Sequence, residues 1–479
     1  MNAVKTLTLA EIIEALCAVR PAAAEAIALS GAVHDSREAQ AGSLFVALRG
    51  EHVDGHEYVA AAFANGARAA LVERPLDGMA ALDLRRGQRP AAELALDTPI
   101  CIVVDDVLLA LQQAARAWRR TLSGLRVVGI TGSVGKTTTK ELTADVLNQR
   151  FRTFKSAGNY NNEIGLPLSV LSITPDTERA VLEMGFYVPG EIALLADIAV
   201  PELGVVTNIG TVHASRAGSQ EAIYRGKAEL VQNLPSDGVA ILNYDDPFVK
   251  RMAGETKARV FFYGLDPAAD LWADEVEGLG LDGVRFRLHY QGETLHVRIP
   301  LIGRHSVHTA LRAAAVGLIE GMDWGAILSG LRIGNAQLRL MAVPGRNGSL
   351  LLDDTYNASP ESTSAALNLL SELEGRKVAV LGDMLELGQY EEQGHRVVGN
   401  LAARVADVLI TVGARAHIIA ETAQGAGLAA AAIHEFADTD GALAFLSEAL
   451  QPSDVVLVKG SRAVHMDKIV PYLEEKHGR

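Results

Sequence analysis

The stretch VVGITGSVGKTTTK, Val127 to Lys140, decides how the rest of the chain is read. A β-branched run, RVVGI, gives way to closely spaced glycines and then to KTTTKELTADVLNQ, a helical composition. Strand, tight glycine turn and helix N-terminus together aim backbone N–H groups and the helix dipole at an anion. Lys136 is then placed to reach the β- and γ-phosphates of a nucleotide, and the Thr137 hydroxyl to ligate magnesium. The general pattern G-x-x-x-x-G-K-[ST] asks for glycine at position 130, which is Ile130; Gly129 comes one place early and Gly132 two places late. A glycine-rich turn with a surface lysine is the plainer alternative, and Gly-Lys-Thr-Thr in this setting argues against it.

Outward from the loop, strand-like and helical runs alternate: RAVLEMG, LGVVTNIG, GVAILN and ARVFFYG follow it, which predicts a doubly wound, mostly parallel sheet. In VRFRLHYQGETLHVRIP the apolar period changes to two, and QGE makes a turn, so a hairpin is expected as an appendage to that sheet. A helix from about His305 closes the unit. The first hundred residues mix short apolar runs (SLFVALRG, ARAALVE, ICIVVDD) with helical stretches, as in a small α/β domain. The alternation resumes after Arg332 with SLLLDD, KVAVLGD, VLITVG and VVLVKGS, a third α/β unit. The expected fold class is α/β in three domains, 1–105, 106–331 and 332–479, the second carrying the phosphate loop.

Composition agrees. At 479 residues the chain exceeds one ordinary core, and 49% apolar with 21% charged residues suits buried cores under a polar surface. The N-terminal stretch is interrupted by Glu11, Glu14 and Arg20 and predicts an amphipathic helix rather than a signal peptide. Two cysteines, Cys17 and Cys101, give neither a disulfide framework nor metal spacing, so a reducing, cytoplasmic setting is expected. A net charge of −14 argues against wrapping nucleic acid, and no apolar run reaches the length of a membrane span.

Further candidates follow strands. Glu183 ends RAVLEMG, where doubly wound sheets bind ligands; it suits a magnesium ligand or a positioner of the attacking group, against a plain loop charge. His213 in TNIGTVHAS follows another strand beside the same crevice. Lys227 lies in a helical stretch, where a solvated lysine is the bland reading. NYNNEIGLP, Asn159 to Pro167, is either a loop of Asx turns or a polar rim facing an amide-rich substrate. Asp353 and Asp354, with Tyr356 and Asn357, end a strand and either cap a helix or bind ribose and metal. Lys459 and Arg462 in VLVKGSR are an anion contact or a surface turn.

Together these motifs, in this order, resemble the ATP-dependent Mur ligases of peptidoglycan synthesis, in their dipeptide-adding branch. The family spelling T-G-[TS]-x-G-K-T-[TS] is met by Thr131, Gly132, Ser133, Val134, Gly135, Lys136, Thr137 and Thr138, so Ile130 is a family trait. The likeness extends over almost the whole chain, through DSREAQAGSLFVALRG, SAGNYNNEIGLP, DDTYNASPES, VLGDMLELG and VLVKGSR. It implies an N-terminal UDP-substrate domain, a central ATPase domain and a Rossmann-like C-terminal domain. ATP and magnesium would serve as cofactors. The substrates would be a UDP-N-acetylmuramoyl-tripeptide and D-alanyl-D-alanine, joined through an acyl phosphate by a monomer without nucleic-acid or membrane partners. It assigns Lys136, Glu183, His213 and Lys227 to catalysis. Thr137, Glu183, His213 and Lys227 would surround metal, with Lys227 as a carbamate. His305, Arg339 and Asp354 would lie near ATP. Ser36, Arg37, Asn159, Asn162, Tyr356, Asn357, Lys459 and Arg462 would lie near substrates. One departure stands out: the family's G-x-H-N-x-x-N-A-L reads GRHSVHTAL here, so Ser306 and Thr309 replace asparagines near adenine, and either His305 or His308 is placed to stack on the base.

Two rival readings remain at this stage. A sister ligase for a single amino acid often carries Asp-Asn-Pro-Arg, which is missing from the sequence, and YNASP and KGSR favour the dipeptide-adding branch. A regulatory nucleotide switch would have no use for α/β units on both sides of the ATPase core.

Overall fold

The computed structural model describes residues 6–50, 53–86, 99–333 and 340–474, and within them the strands gather into three sheets. The first contains β1 (Gly31–Val33), β2 (Ser43–Val46), β3 (Ala69–Val72), β4 (Ala81–Asp83) and β5 (Ile100–Val103), in the order β1-β2-β3-β5-β4 and parallel throughout. The second contains β6 (Arg126–Thr131), β7 (Thr153–Lys155), β8 (Arg179–Glu183), β9 (Leu203–Val206), β10 (Val239–Asn243), β11 (Arg259–Gly264), β12 (Leu271–Gly278), β13 (Val284–Tyr290) and β14 (Glu293–Ile299). Its order is β14-β13-β12-β11-β10-β9-β6-β8-β7, parallel except where β12, β13 and β14 run antiparallel. The third contains β15 (Met341–Pro344), β16 (Leu350–Asp353), β17 (Arg376–Gly382), β18 (Val408–Val412), β19 (Ile433–Phe436) and β20 (Asp454–Lys459). Its order is β15-β16-β20-β17-β18-β19, with β15 alone antiparallel.

The α/β architecture follows the sequence pattern, with one correction. The appended antiparallel unit has three strands, because β12 pairs with β13 and extends the expected hairpin. A register shift between Asp274 and Glu277, with Glu275 at φ +45°, breaks the alternation that would have marked β12 in the sequence.

Ile130 finds its explanation in β6. Alternate residues of that strand face opposite cores: Val127 packs on one side, Val128 and Ile130 on the other. Ile130 is fully buried and sits in the ladder between Glu183 of β8 and Val205 of β9. Burying such a side chain is worth about 2–3 kcal/mol, so the strand runs on to Thr131 and the loop opens only at Gly132.

Flanking helices position the sheets. Val107–Thr121 starts at Asp106, whose carboxylate accepts from the Leu109 N–H at 2.8 Å, and carries Arg119 and Arg120 in its last turn. Both ends therefore suit the helix dipole. Its buried stripe, Leu111, Ala114, Ala115 and Trp118, joins one core with residues of the first and second sheets. The Trp118 indole donates to the Ile173 carbonyl at 3.0 Å, which fixes the packing angle. The N-terminal segment is the expected helix, Leu9–Cys17, closed by a Thr8–Glu11 capping box. Among the described residues no helix is long and apolar enough to cross a membrane.

Strand β6 lies between β8 and β9, so chain connections leave it in opposite directions and a crevice opens at its carboxyl end. In the third sheet β16 and β20 are neighbours, which brings Asp354 and Lys459 side by side.

Candidate active site

The loop after β6 is held from behind by the end of β9. Gly132 stands at φ +143°, and a Cβ there would overlap the Thr207 hydroxyl, so only glycine fits. Thr207 Oγ1 donates to the Val134 carbonyl at 2.7 Å. Asn208 accepts from the Val134 N–H at 2.9 Å and donates to the Val134 carbonyl at 3.0 Å, while its own carbonyl takes the Ser133 N–H at 2.9 Å. The Gly210 N–H donates to Ser133 Oγ at 2.9 Å. The Lys136 ammonium lies over the loop, donating to the Gly132 carbonyl at 2.9 Å and the Ser133 carbonyl at 3.4 Å.

Helix Lys136–Leu147 starts from this loop and carries two further anchors. Thr139 Oγ1 donates to the Gly135 carbonyl at 2.6 Å and accepts from the buried Arg312 guanidinium at 2.7 Å, which also donates to the Tyr263 hydroxyl at 2.8 Å. Lys140 is fully buried, and its ammonium donates to the carbonyls of Ser156 at 2.7 Å and Gly158 at 3.0 Å. That lysine ties the helix to the asparagine-rich loop.

Glu183, the last residue of β8, is buried between two partners. It accepts from the Thr137 hydroxyl at 2.8 Å and from the Asn161 amide at 2.8 Å. Asn159 and Asn161 both line the cleft, whereas Asn162 turns to its own backbone and accepts from the Gly165 N–H at 2.8 Å. Asn162 thus takes the Asx-turn reading, and its neighbour Asn161, not singled out in the sequence, stands at the cleft beside Glu183.

Lys227 is fully buried rather than solvated. Its Nζ donates to the Gly132 carbonyl at 3.0 Å and lies 4.9 Å from the Phe186 ring centroid. Burial holds its pKa well below the usual lysine range; the Lys136 charge adds to this, and Glu183 and Glu191 oppose it without reversing it. The Lys227 amine therefore sits directly behind the phosphate loop, held at the Gly132 carbonyl.

His213 stands on the cleft wall. Its Nδ1 is 2.6 Å from the Glu386 carboxylate, and its ring meets Tyr187 edge-on with centroids 4.8 Å apart. Burial pushes the imidazole pKa below its ordinary value despite the pull of Glu386, and Lys136 and Lys227 push the same way as burial.

The cleft has a volume of about 280 Å³ and is walled by both the second and the third sheet. Ser133 to Thr138, Asn159, Asn161, Glu183, Tyr187 and His213 line one side; Asp354, Tyr356, Asn357 and Lys459 line the other; His305, Ser306 and Thr309 lie at one end. Lys459 is 2% exposed, and its ammonium donates to Asp354 at 2.7 Å and to the Asn357 carbonyl at 2.8 Å. Ser306 Oγ donates back to the Ile302 carbonyl at 2.8 Å. His308 is 2.8 Å from the Asp245 carboxylate, so of this pair it is His305 that lines the cleft.

Other expected residues lie elsewhere. Thr131 is buried, its hydroxyl donating to the Met184 carbonyl at 2.9 Å. Lys227 and Gly132 form the back of the loop. Ser36 and Arg37 belong to the turn after β1, where Arg37 is held by Asp35, 2.9 Å from its Nε. That turn is linked to the cleft by Tyr160, which meets the His34 ring at 5.9 Å and donates to Glu38 at 3.5 Å. Arg462 is exposed, outside the cleft lining. Arg339 lies outside the described residues.

Asn161, Asn208, Arg312, Lys140 and Glu386 were not singled out from the sequence. Two signals existed: a lone arginine inside the apolar run TALRAAAV, and a strand-ending TNIG matched to a glycine loop.

Models of known families match most of the chain: the Mur ligase middle domain over residues 130–317, the Mur ligase glutamate ligase domain over 338–462, and the Mur ligase family catalytic domain over 29–119. A UDP-N-acetylmuramoyl-tripeptide–D-alanyl-D-alanine ligase of Synechocystis sp. is 36% identical over 94% of this chain and 93% of its own. The ligase of the same description from Mycobacterium tuberculosis is 38% identical over 98% and 97%. Among solved structures, MurF from Acinetobacter baumannii aligns with TM-score 0.82 at 32% identity, covering 98% of this chain and 99% of that one. MurF from Thermotoga maritima, solved in complex with ADP, aligns with TM-score 0.74 at 28% identity over 92% and 96%.

Proposed function

The chain belongs to the Mur ligase family, and from that premise we propose that the cleft between the second and third sheets is where its phosphoryl and acyl transfers take place. The chain is an ATP-dependent amide ligase of peptidoglycan precursor synthesis, joining D-alanyl-D-alanine to a UDP-N-acetylmuramoyl-tripeptide through an acyl phosphate. The observation that carries the assignment of the site is a braced phosphate loop with a buried carboxylate, facing the Asp354–Lys459 pair across one cleft.

The chemistry needs negative charge gathered and then spread. The terminal carboxylate of the tripeptide attacks the γ-phosphorus, an O–P bond forms, the β–γ bridge breaks and ADP leaves. The amine of D-alanyl-D-alanine then adds to the acyl carbon and phosphate departs. The N–H groups at the start of helix Lys136–Leu147 hold the phosphates over the braced loop, and Lys136 follows the charge on the transferring group. Thr137 and Glu183 are hard oxygen donors 2.8 Å apart. Among the described residues there is no cluster of three or more His, Cys, Asp or Glu side chains with metal-ligand spacing. Such a donor set suits magnesium, which takes one or two protein oxygens and fills its shell with phosphate and water. Bound there, magnesium would neutralise charge on the phosphates. Lys227, behind the loop with its pKa held down by burial, is placed to add CO2 through its free amine, giving a carbamate and releasing a proton, while His213 stands on the cleft wall.

Asp354 and Lys459 serve the ATP side from the third sheet, with Tyr356 and Asn357 beside the incoming dipeptide. Ser36 and Arg37 hold the uridine diphosphate end, and Tyr160 marks the route from there to Asn159 at the cleft. His305 stacks on the base where Ser306 and Thr309 replace the family's asparagines. In this reading the domains are 1–105, 106–331 and 332–479, and the enzyme works as a cytoplasmic monomer.

Offered ATP, a UDP-muramoyl-tripeptide and a panel of amino acids and dipeptides, the purified enzyme is expected to release phosphate with D-alanyl-D-alanine and to leave glutamate, lysine and diaminopimelate unused. Faster turnover with a single amino acid would assign the chain to a sister ligase. Phosphate release without either substrate would point to a nucleotide switch.

A further inference from the structure

The motif VLGDMLELG, Val380 to Gly388, supplies the end of β17 and then a turn whose Glu386 reaches the opposite side of the cleft. Its carboxylate oxygen lies 2.6 Å from His213 Nδ1, a contact between residues 173 positions apart. Both residues stand in the left-handed region, His213 at φ +68° and Glu386 at φ +64°. Side chains with a Cβ rarely adopt that conformation, which persists where the surroundings hold it and concentrates at functional sites. The backbones hold each other here: the Ser215 N–H donates to the Glu386 carbonyl at 3.1 Å. Gly388 comes so near that a Cβ on it would stand 2.9 Å from Ser215 Cα. Arg216 is 3.7 Å from the same carboxylate, and the Gln220 N–H donates to the Tyr390 hydroxyl at 3.2 Å.

A carboxylate accepts hydrogen bonds and does not donate them, so His213 Nδ1 must carry the proton in this pair. With Nδ1 tied to Glu386, Nε2 is the ring nitrogen left for the cleft, and which nitrogen does which is set by the partner of the other. Tyr187 packs edge-on against the ring and limits its rotation. The group that fixes the ring therefore comes from the third sheet, while the ring belongs to the second.

We propose that Glu386 is a positioning residue for the ligation reaction: docking of the third-sheet unit sets the tautomer and orientation of His213, so the phosphoryl site is complete only when both walls of the cleft are together. The inference rests on the reading of His213 as part of that site.

The test uses the full chain with ATP, UDP-muramoyl-tripeptide and D-alanyl-D-alanine, comparing Glu386→Ala, Glu386→Gln and His213→Ala. Glu386→Ala is expected to lower kcat by about 10- to 100-fold with KM for ATP little changed. Imidazole 15N spectra should show the Nδ1–H tautomer of His213 in the unmodified enzyme and a tautomer mixture in Glu386→Ala. Glu386→Gln keeps an accepting oxygen and should retain most of kcat and the single tautomer. Gly388→Ala, which separates the backbones without touching either side chain, should lower kcat in the same way. Full kcat in Glu386→Ala alongside an inactive His213→Ala would overturn this inference alone. Full kcat in His213→Ala would remove the reading beneath it as well. Equal losses in Glu386→Ala and Glu386→Gln, with a fallen Tm and an unchanged His213 spectrum, would reduce the contact to a structural one and also overturn it.

Discussion

Lys136→Ala is expected to lower ligation by about 10³-fold while the protein stays folded. The lysine side chain contributes little packing; its ammonium lies over the loop on the Gly132 and Ser133 carbonyls. Losing two hydrogen bonds to a half-buried loop costs about 1–3 kcal/mol of stability, too little to unfold a chain with cores of this size. Rate falls far more, because the developing charge on the transferring phosphoryl group loses its nearest cation in a site that excludes much of the solvent. Single-turnover phosphate release and a thermal melt on the same preparation separate the two effects. Wild-type turnover in the variant would remove the loop from the reaction.

Lys227→Ala is expected to reduce turnover by at least about 10²-fold, with partial recovery on adding a small carboxylic acid such as acetate. In the proposed carbamate role this lysine is well placed: it is buried, burial and the Lys136 charge hold its pKa below the usual lysine range, and its amine is held at the Gly132 carbonyl. Truncation leaves a space behind the loop that a carboxylate can enter, supplying the negative charge that the proposed carbamate would carry. Full activity with no supplement would exclude the bridging role. An equal loss with no recovery at any acid concentration would assign Lys227 to holding the loop through Gly132.

What could be read from the sequence was what lies close together in it. The loop, Lys136 and Thr137 are consecutive, and Glu183 was found because strand ends gather at a switch point. Ile130 posed a puzzle only until β6 was seen to continue through it into a buried ladder. The three asparagines of NYNN were visible as a cluster, yet their division of labour depends on one Asx turn that claims Asn162 and aims Asn161 at Glu183. Lys227 reads as an ordinary helix lysine until the helix is packed against the loop. Glu386 was invisible as a partner of His213 because the pairing depends on how two separately folded sheets meet. Short edge strands such as β4 and β7, three residues each, carry too little periodicity to announce themselves.

The central claim is that a peptide carboxylate is phosphorylated in this cleft before the amine attacks. Labelling the terminal carboxylate of the UDP-linked tripeptide with 18O tests it most directly, with the released phosphate analysed by mass spectrometry after complete ligation to D-alanyl-D-alanine. Attack of that carboxylate on the γ-phosphorus transfers one labelled oxygen to each phosphate formed. Phosphate free of 18O, with ligation intact, would contradict the account.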